Sequence, residues 1–194
     1  MKLKSQGGAE YQNYLLKNEL ETANYEVSFI SFGDKREKFI DGQTLVFYIP
    51  QGKLTRKFGD NYFLYIPRVL KLLKEINPDY IYLRGGISWI LAGACFAQRN
   101  NKRFIWAVAS DEDVKPLRFE ALSNFLFNVI DRSLANLGKR RASVIITQTY
   151  TQRDFLHDYL GLSANEIVNN NQPEPTEIIN KPKDKLRIIW IANF

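Results

Sequence analysis

Three places along the chain carry residue types that could handle a charged or hydroxylated ligand: the pair Gly7-Gly8, Arg84 and Asp111. Gly7 and Gly8 open the stretch GGAEYQNYLLKNELETANYEVSFISF, in which Tyr11, Tyr14, Leu15, Leu16 and Leu20 recur at helical spacing before Val27, Phe29 and Ile30 begin a strand. Glycines before a helix can take positive φ and let a ligand approach the backbone, and the free N–H groups of the first turn, with the helix dipole behind them, suit a phosphate. An ordinary Gly-Gly turn accounts for the same pair. Arg84 directly follows the apolar run Tyr80–Leu83, and its planar fork could hold an anion or pair with a nearby surface acid. Asp111 sits in the acidic loop Ser110-Asp111-Glu112-Asp113 behind a second apolar run, Phe104–Val108. A carboxylate there could orient a hydroxyl or accept its proton, and it could as economically cap the element that follows.

These residues fall at junctions between alternating strands and helices. After the first helix and strand, Asp34 to Asp41 reads as a charged turn and Thr44 to Ile49 as a strand closed by Pro50. Ile66, Val69, Leu70, Leu73 and Ile76 give a helix its apolar face, and Asn77-Pro78-Asp79 breaks it before the strand Tyr80–Leu83. A helix over 87–98, the strand Phe104–Val108, and a long helix from about Leu117 to Leu137 follow. That last helix should bury Leu122, Phe125, Leu126, Val129, Ile130, Leu134 and Leu137, with Lys139, Arg140 and Arg141 as the cations that favour a helix C-terminus. Val144–Thr147 is a strand, Thr151–Leu160 a helix stopped by Gly161, and Glu166–Val168 a short strand. The alternation implies an α/β fold, a Rossmann-like parallel sheet with helices on both faces and ligands at the C-terminal ends of the strands. Residues 1–168 form this domain, 169–185 read as a linker with asparagines and prolines, and 186–194 as one further buried-type strand.

Composition narrows the chemistry. The 194 residues are 45% hydrophobic, enough to bury one core. A single cysteine, Cys95, in an apolar run excludes an internal disulfide framework and reads as a buried thiol of a protein from a reducing cytoplasm. One histidine, His157, on the polar side of its helix, and no clustered Cys, His or carboxylate spacing leave no metal site to be read and imply no metal cofactor. The net charge of +6 favours anionic partners, while aromatics at core spacing rather than in an exposed row argue against nucleic acid. The longest uncharged run is too short to span a membrane.

Taken in succession, GGAEYQNYLL, INPDYIYLRGG, FIWAVASDEDV, ASVIITQTYTQRDFL, VNNNQPEP and KLRIIWIANF resemble the N-terminal domain of a glycosyltransferase of family 4, the retaining GT-B type, over nearly the whole chain. The resemblance implies two Rossmann-like domains facing across a cleft, the N-terminal one holding mainly the acceptor and the other the nucleotide sugar. It implies Gly7 and Gly8 at the donor's phosphates or the acceptor, Arg84 in the cleft against a phosphate or sugar hydroxyl, and Asp111 where many members carry a histidine or acid near the acceptor. The expected activity is transfer of a hexose-type sugar to a polysaccharide or cell-envelope glycoconjugate, with a glycan or lipid-linked acceptor and no cofactor beyond the nucleotide-sugar co-substrate. A non-catalytic Rossmann-like module for a nucleotide, lipid or protein partner is the rival; the related nucleotide-sugar 2-epimerases share the architecture, but none of their motifs stands here. Only MKLKSQ precedes Gly7 where the family has a strand, and the chain stops after what looks like the first strand of the second domain, so the sequence looks like a fragment at both ends, inactive alone. Finally, Lys53, Arg56, Lys57, Arg68, Lys71 and Lys74, interleaved with Tyr62, Phe63 and Tyr65, could rest on an anionic membrane at its cytoplasmic face, although a solvated helix face explains the same charges.

Overall fold

A computed structural model describes residues 8–33, 35, 37–50, 52, 62–116 and 125–168 of the protein. Gly7, Lys53, Arg56, Lys57, the expected linker and the strand beyond it lie outside these residues. The first helix, α1 (Gly8–Thr22), leads to strands β1 (Ser28–Gly33), β2 (Glu37–Asp41) and β3 (Thr44–Pro50), which form a three-stranded sheet in the order β1-β3-β2. β1 runs parallel to β3 and β2 antiparallel to it. The expected charged turn over 34–41 thus contains a strand. Gly42, at φ 69°, makes the tight reversal into β3, and the ring of Phe39 lies 5.2 Å from that of Tyr48. Three charged residues in five hid it, since Phe39 is half-buried while Ile40 faces solvent.

Beyond a short 3₁₀ turn (Tyr62–Tyr65), helix α2 (Ile66–Ile76) carries Pro67 in its first turn and ends at Asn77, left-handed at φ 49°, whose N–H returns to the Leu73 carbonyl. Strands β4 (Tyr80–Arg84), β5 (Arg103–Ala107), β6 (Val144–Thr147) and β7 (Glu166–Ile167) form a second sheet, all parallel and in chain order. Helices α3 (Trp89–Arg99), α4 (Phe125–Lys139) and α5 (Tyr150–Leu160) connect them. This second sheet is the Rossmann-like parallel arrangement expected from the alternation of elements.

One core cluster lies under the four parallel strands and gathers Ile90, Phe104, Trp106, Val108, Ala135, Ile145, Leu156 and Leu160. A second joins Phe47 and Ile49 of β3 to Val69, Leu72 and Leu73 of α2 and Trp89 and Phe96 of α3. Ile81 and Leu83 of β4 pack against both clusters. Among the described residues there are therefore two sheets instead of one, joined by side chains. Among the described residues β1 and β4 lie at the ends of their sheets, each half-buried, whereas β3 and β5 hold residues that are fully enclosed.

Two helices differ from their sequence patterns. On α1, Tyr14 and Leu16 are exposed and Lys17 is buried, because its ammonium meets Glu21 at 3.0 Å while the Thr44 hydroxyl donates to the other Glu21 oxygen at 2.6 Å. The Thr44 hydrogen bond and then Lys17 hold the Glu21 carboxyl below the usual carboxylate range. On α4, described from Phe125 onward, Leu126 and Leu137 are 66% and 43% exposed, and Ala135, Gly138 and Lys139 face the core instead. Cys95 is half-buried rather than enclosed.

Candidate active site

Parallel pairing aligns the C-terminal ends of β4, β5 and β6. Arg84 stands in register with Ala107, and Ala107 with Ile146. Past the strand ends, the Gly85 N–H donates to the Ala107 carbonyl at 3.0 Å, and the Gly85 carbonyl accepts from the Trp106 indole at 2.8 Å. Gly85 has φ 110°, a conformation that L side chains rarely adopt. A Cβ on Gly86 would lie 2.6 Å from Asp113 Oδ1, so the β4–α3 turn and the acidic loop after β5 touch backbone to carboxylate. This brings Arg84 and Asp111, far apart in sequence, to one edge of the sheet. Gly8 opens α1, whose clasp through Lys17 and Glu21 runs to Thr44 at the start of β3.

Within the acidic loop the three carboxylates divide their work. Asp113, nearly fully buried, accepts from the N–H groups of Ala109 at 2.8 Å and Ser110 at 3.0 Å and closes a capping box with Ser110 around the short 3₁₀ turn Asp111–Asp113. Capping therefore falls to Asp113 and leaves the Asp111 side chain, 45% exposed, turned to the edge. Asp111 Oδ1 accepts from Gln152 Nε2 at 3.2 Å, and its Oδ2 lies 3.7 Å from Lys115 Nζ. Arg84 is half-buried, and its Nε has no hydrogen-bond partner among the described residues. A buried guanidinium N–H without a partner is costly, and an anion or hydroxyl at this edge would satisfy it.

Side chains that sequence reading passed over hold this loop from below. Lys139 is fully enclosed; its Nζ donates to the Asp113 carbonyl at 2.6 Å and to Asn136 Oδ1 at 2.9 Å, and stands 5.0 Å from the Trp106 ring. Burial first, then the neighbouring Arg132 cation, lowers its ammonium to about 7, against the opposing pull of Asp113 and Asp131. Arg132 donates to the carbonyls of Glu112 and Lys115, and burial lowers its pKa as well. Gln148, just before α5, and Gln152 in its first turn reach the same loop, and the spacing Thr149-x-x-Gln152 is the sequence signal that could flag the second, as a capping box. Arg68, Lys71 and Lys74 are exposed on α2, as their spacing predicts, and His157 is exposed on α5.

An open edge of a parallel sheet that carries a carboxylate and a guanidinium Nε without a partner among the described residues has the chemistry to take a hydroxylated or anionic ligand. Residues 6–169 match the family model of Glycosyltransferase Family 4. The chain belongs to that family. A relative from Haemophilus influenzae, described as an uncharacterized glycosyltransferase, is 26% identical over 106 residues, which is 55% of this chain and 30% of the relative. The chain thus spans less than a third of that relative's length in the matched region.

Proposed function

We propose that this chain forms the acceptor side of a glycosyltransferase that moves a hexose-type sugar from a nucleotide-sugar donor to a hydroxyl of a polysaccharide or cell-envelope glycoconjugate. The observation that carries the reading is the division of labour in the acidic loop: Asp113 caps, so the Asp111 carboxylate stands at the strand ends, on the same edge as Arg84. In the transfer, the bond between the anomeric carbon and the diphosphate breaks as the acceptor oxygen bonds to that carbon on the same face. Asp111 orients the acceptor hydroxyl, and the hydroxyl proton passes to Asp111 or to the departing diphosphate, whose growing charge must be stabilised. Arg84 holds a phosphate or sugar oxygen. The Gly7-Gly8 backbone, ahead of α1, takes a donor phosphate in this scheme. No cofactor and no metal enters it.

The exposed cations Arg68, Lys71 and Lys74 of α2, beside an exposed Leu64, belong to the same proposal as a surface that rests on anionic lipid at the cytoplasmic face of the membrane. No described helix is long and apolar enough to cross a membrane. The activity test uses the whole protein with tritiated UDP-glucose, UDP-galactose and UDP-N-acetylglucosamine and envelope glycan as acceptor. Asp111→Asn should lower kcat about 100-fold or more while the fold is retained. Equal turnover by D111N removes Asp111 from the reaction, and binding of nucleotide sugar without any turnover by the unaltered protein would favour a non-catalytic module.

A further inference from the structure

The two oxygens of Asp111 are not equivalent. Oδ1 is hydrogen-bonded by Gln152 Nε2 at 3.2 Å, whereas Oδ2 has, among the described residues, Lys115 Nζ at 3.7 Å, an ammonium that also faces Glu112 at 3.7 Å and the Phe155 ring at 5.0 Å. Gln152 is nearly fully buried, and its amide cannot turn over. The backbone N–H of Gln148 can only donate, so the atom 2.9 Å from it must be Gln152 Oε1, and the end facing Asp111 must be the NH₂ group. Gln148 is itself fixed, since its Nε2 donates to the carbonyls of Val108 at 2.8 Å and Ala109 at 3.0 Å. The Gln152 backbone N–H is held by Thr149 Oγ1 at 3.1 Å. A chain of single-direction hydrogen bonds therefore runs from the end of β5 through both glutamines to one carboxylate oxygen.

We propose that Gln152 is a positioning residue for Asp111: it occupies Oδ1 and so leaves Oδ2 as the oxygen offered to the acceptor hydroxyl. The proposal rests on the role given to Asp111 above. A carboxylate free to rotate would present either oxygen at varying distance, and misplacement of a reacting group by about 1 Å costs about 100-fold in rate. Helix capping alone explains the Gln152 backbone N–H and Oε1, but not Nε2, which serves no cap.

Gln152→Glu separates the two roles. Glutamate is equally a capping-box residue and keeps the acceptor that Gln148 N–H needs, but it places an oxygen where Asp111 Oδ1 requires a donor. In the 194-residue chain, nuclear magnetic resonance of the Gln152 side-chain NH₂ reads the contact directly. Asp111→Asn should move those proton resonances, and unchanged resonances overturn the proposal. In the whole protein, assayed with the same UDP-hexoses and envelope glycan well below the melting temperature, which the buried carboxylate facing Asp111 lowers, Q152E should keep the donor KM while kcat falls about 10- to 100-fold. If D111N loses activity and Q152E keeps kcat within about twofold, Gln152 only caps its helix and the proposal falls. If D111N itself is fully active, the role of Asp111 fails first, and the two failures are told apart.

Discussion

Lys139 shows what a single side chain can conceal in a sequence. Beside Arg140 and Arg141 it reads as one of three cations favouring the end of a helix, and the other two behave so: both are exposed, and Arg141 donates to the Leu137 carbonyl at 3.0 Å. Lys139 instead points under the loop that bears Asp111, because the Asp113 carbonyl and Asn136 need a donor where Trp106 closes the space. A neutral amine has two N–H groups and still makes both bonds, so loss of the proton leaves the contact intact. The folded group titrates at about 7 and the unfolded one at 10.5. Between these values the unfolded chain holds more protons, so this residue adds stability as pH rises from about 7 and adds nothing below it, with a slope approaching about 1.4 kcal/mol per pH unit. Urea unfolding from about pH 6 to about pH 9 should show that rise in the unaltered chain and not in Lys139→Met, which also loses about 1–3 kcal/mol by leaving the two acceptors unpaired. Identical pH profiles for both would show that the ammonium is not desolvated. The same limit applied at the site. Asp111 was legible as a candidate from its place after a strand, but the sequence SDED does not say which carboxylate caps and which is free.

At the scale of elements, the parallel half was legible almost residue by residue, because buried strands such as Phe104–Val108 are apolar throughout and their helices end at Asn77 and Gly161, both left-handed. What failed was facing. α4 has leucines enough for a wide stripe, yet Leu126 and Leu137 face solvent, since its contact with α3 is made by Gly138. There a Cβ would stand 2.5 Å from the Leu91 backbone nitrogen and 2.7 Å from the Ile90 carbonyl carbon. Backbone cannot step aside as a long side chain can. Gly138→Ala should therefore cost about 1–3 kcal/mol or more, read as a lowered denaturation midpoint, although alanine is the better helix former. A stabilised G138A would mean that α3 and α4 are not in close contact. β2 escaped notice for a related reason: an edge strand with one inward residue, Phe39, lacks the alternation that marks a half-buried strand.

Across the whole molecule, charge is distributed by element. Arg68, Lys71 and Lys74 share the outer face of α2, where Glu75 is already engaged by Lys38 at 3.5 Å. Each exposed cation near an anionic bilayer contributes about 1 kcal/mol. The chain should sediment with phosphatidylserine vesicles at low salt, release at high salt, and fail to bind after Arg68→Glu, Lys71→Glu and Lys74→Glu together. Absence of low-salt binding in the unaltered chain disposes of the membrane surface. The division into two sheets has a mechanical meaning as well. A hydrogen-bonded ladder resists sliding because each step of slip breaks bonds in register, whereas packed side chains such as Ile81 and Leu83 resist it weakly. No ladder among the described residues crosses between β1 and β4; Ile30 and Phe32 of the one and Ile81 and Leu83 of the other pack instead against the cluster that holds Trp89 and Phe96.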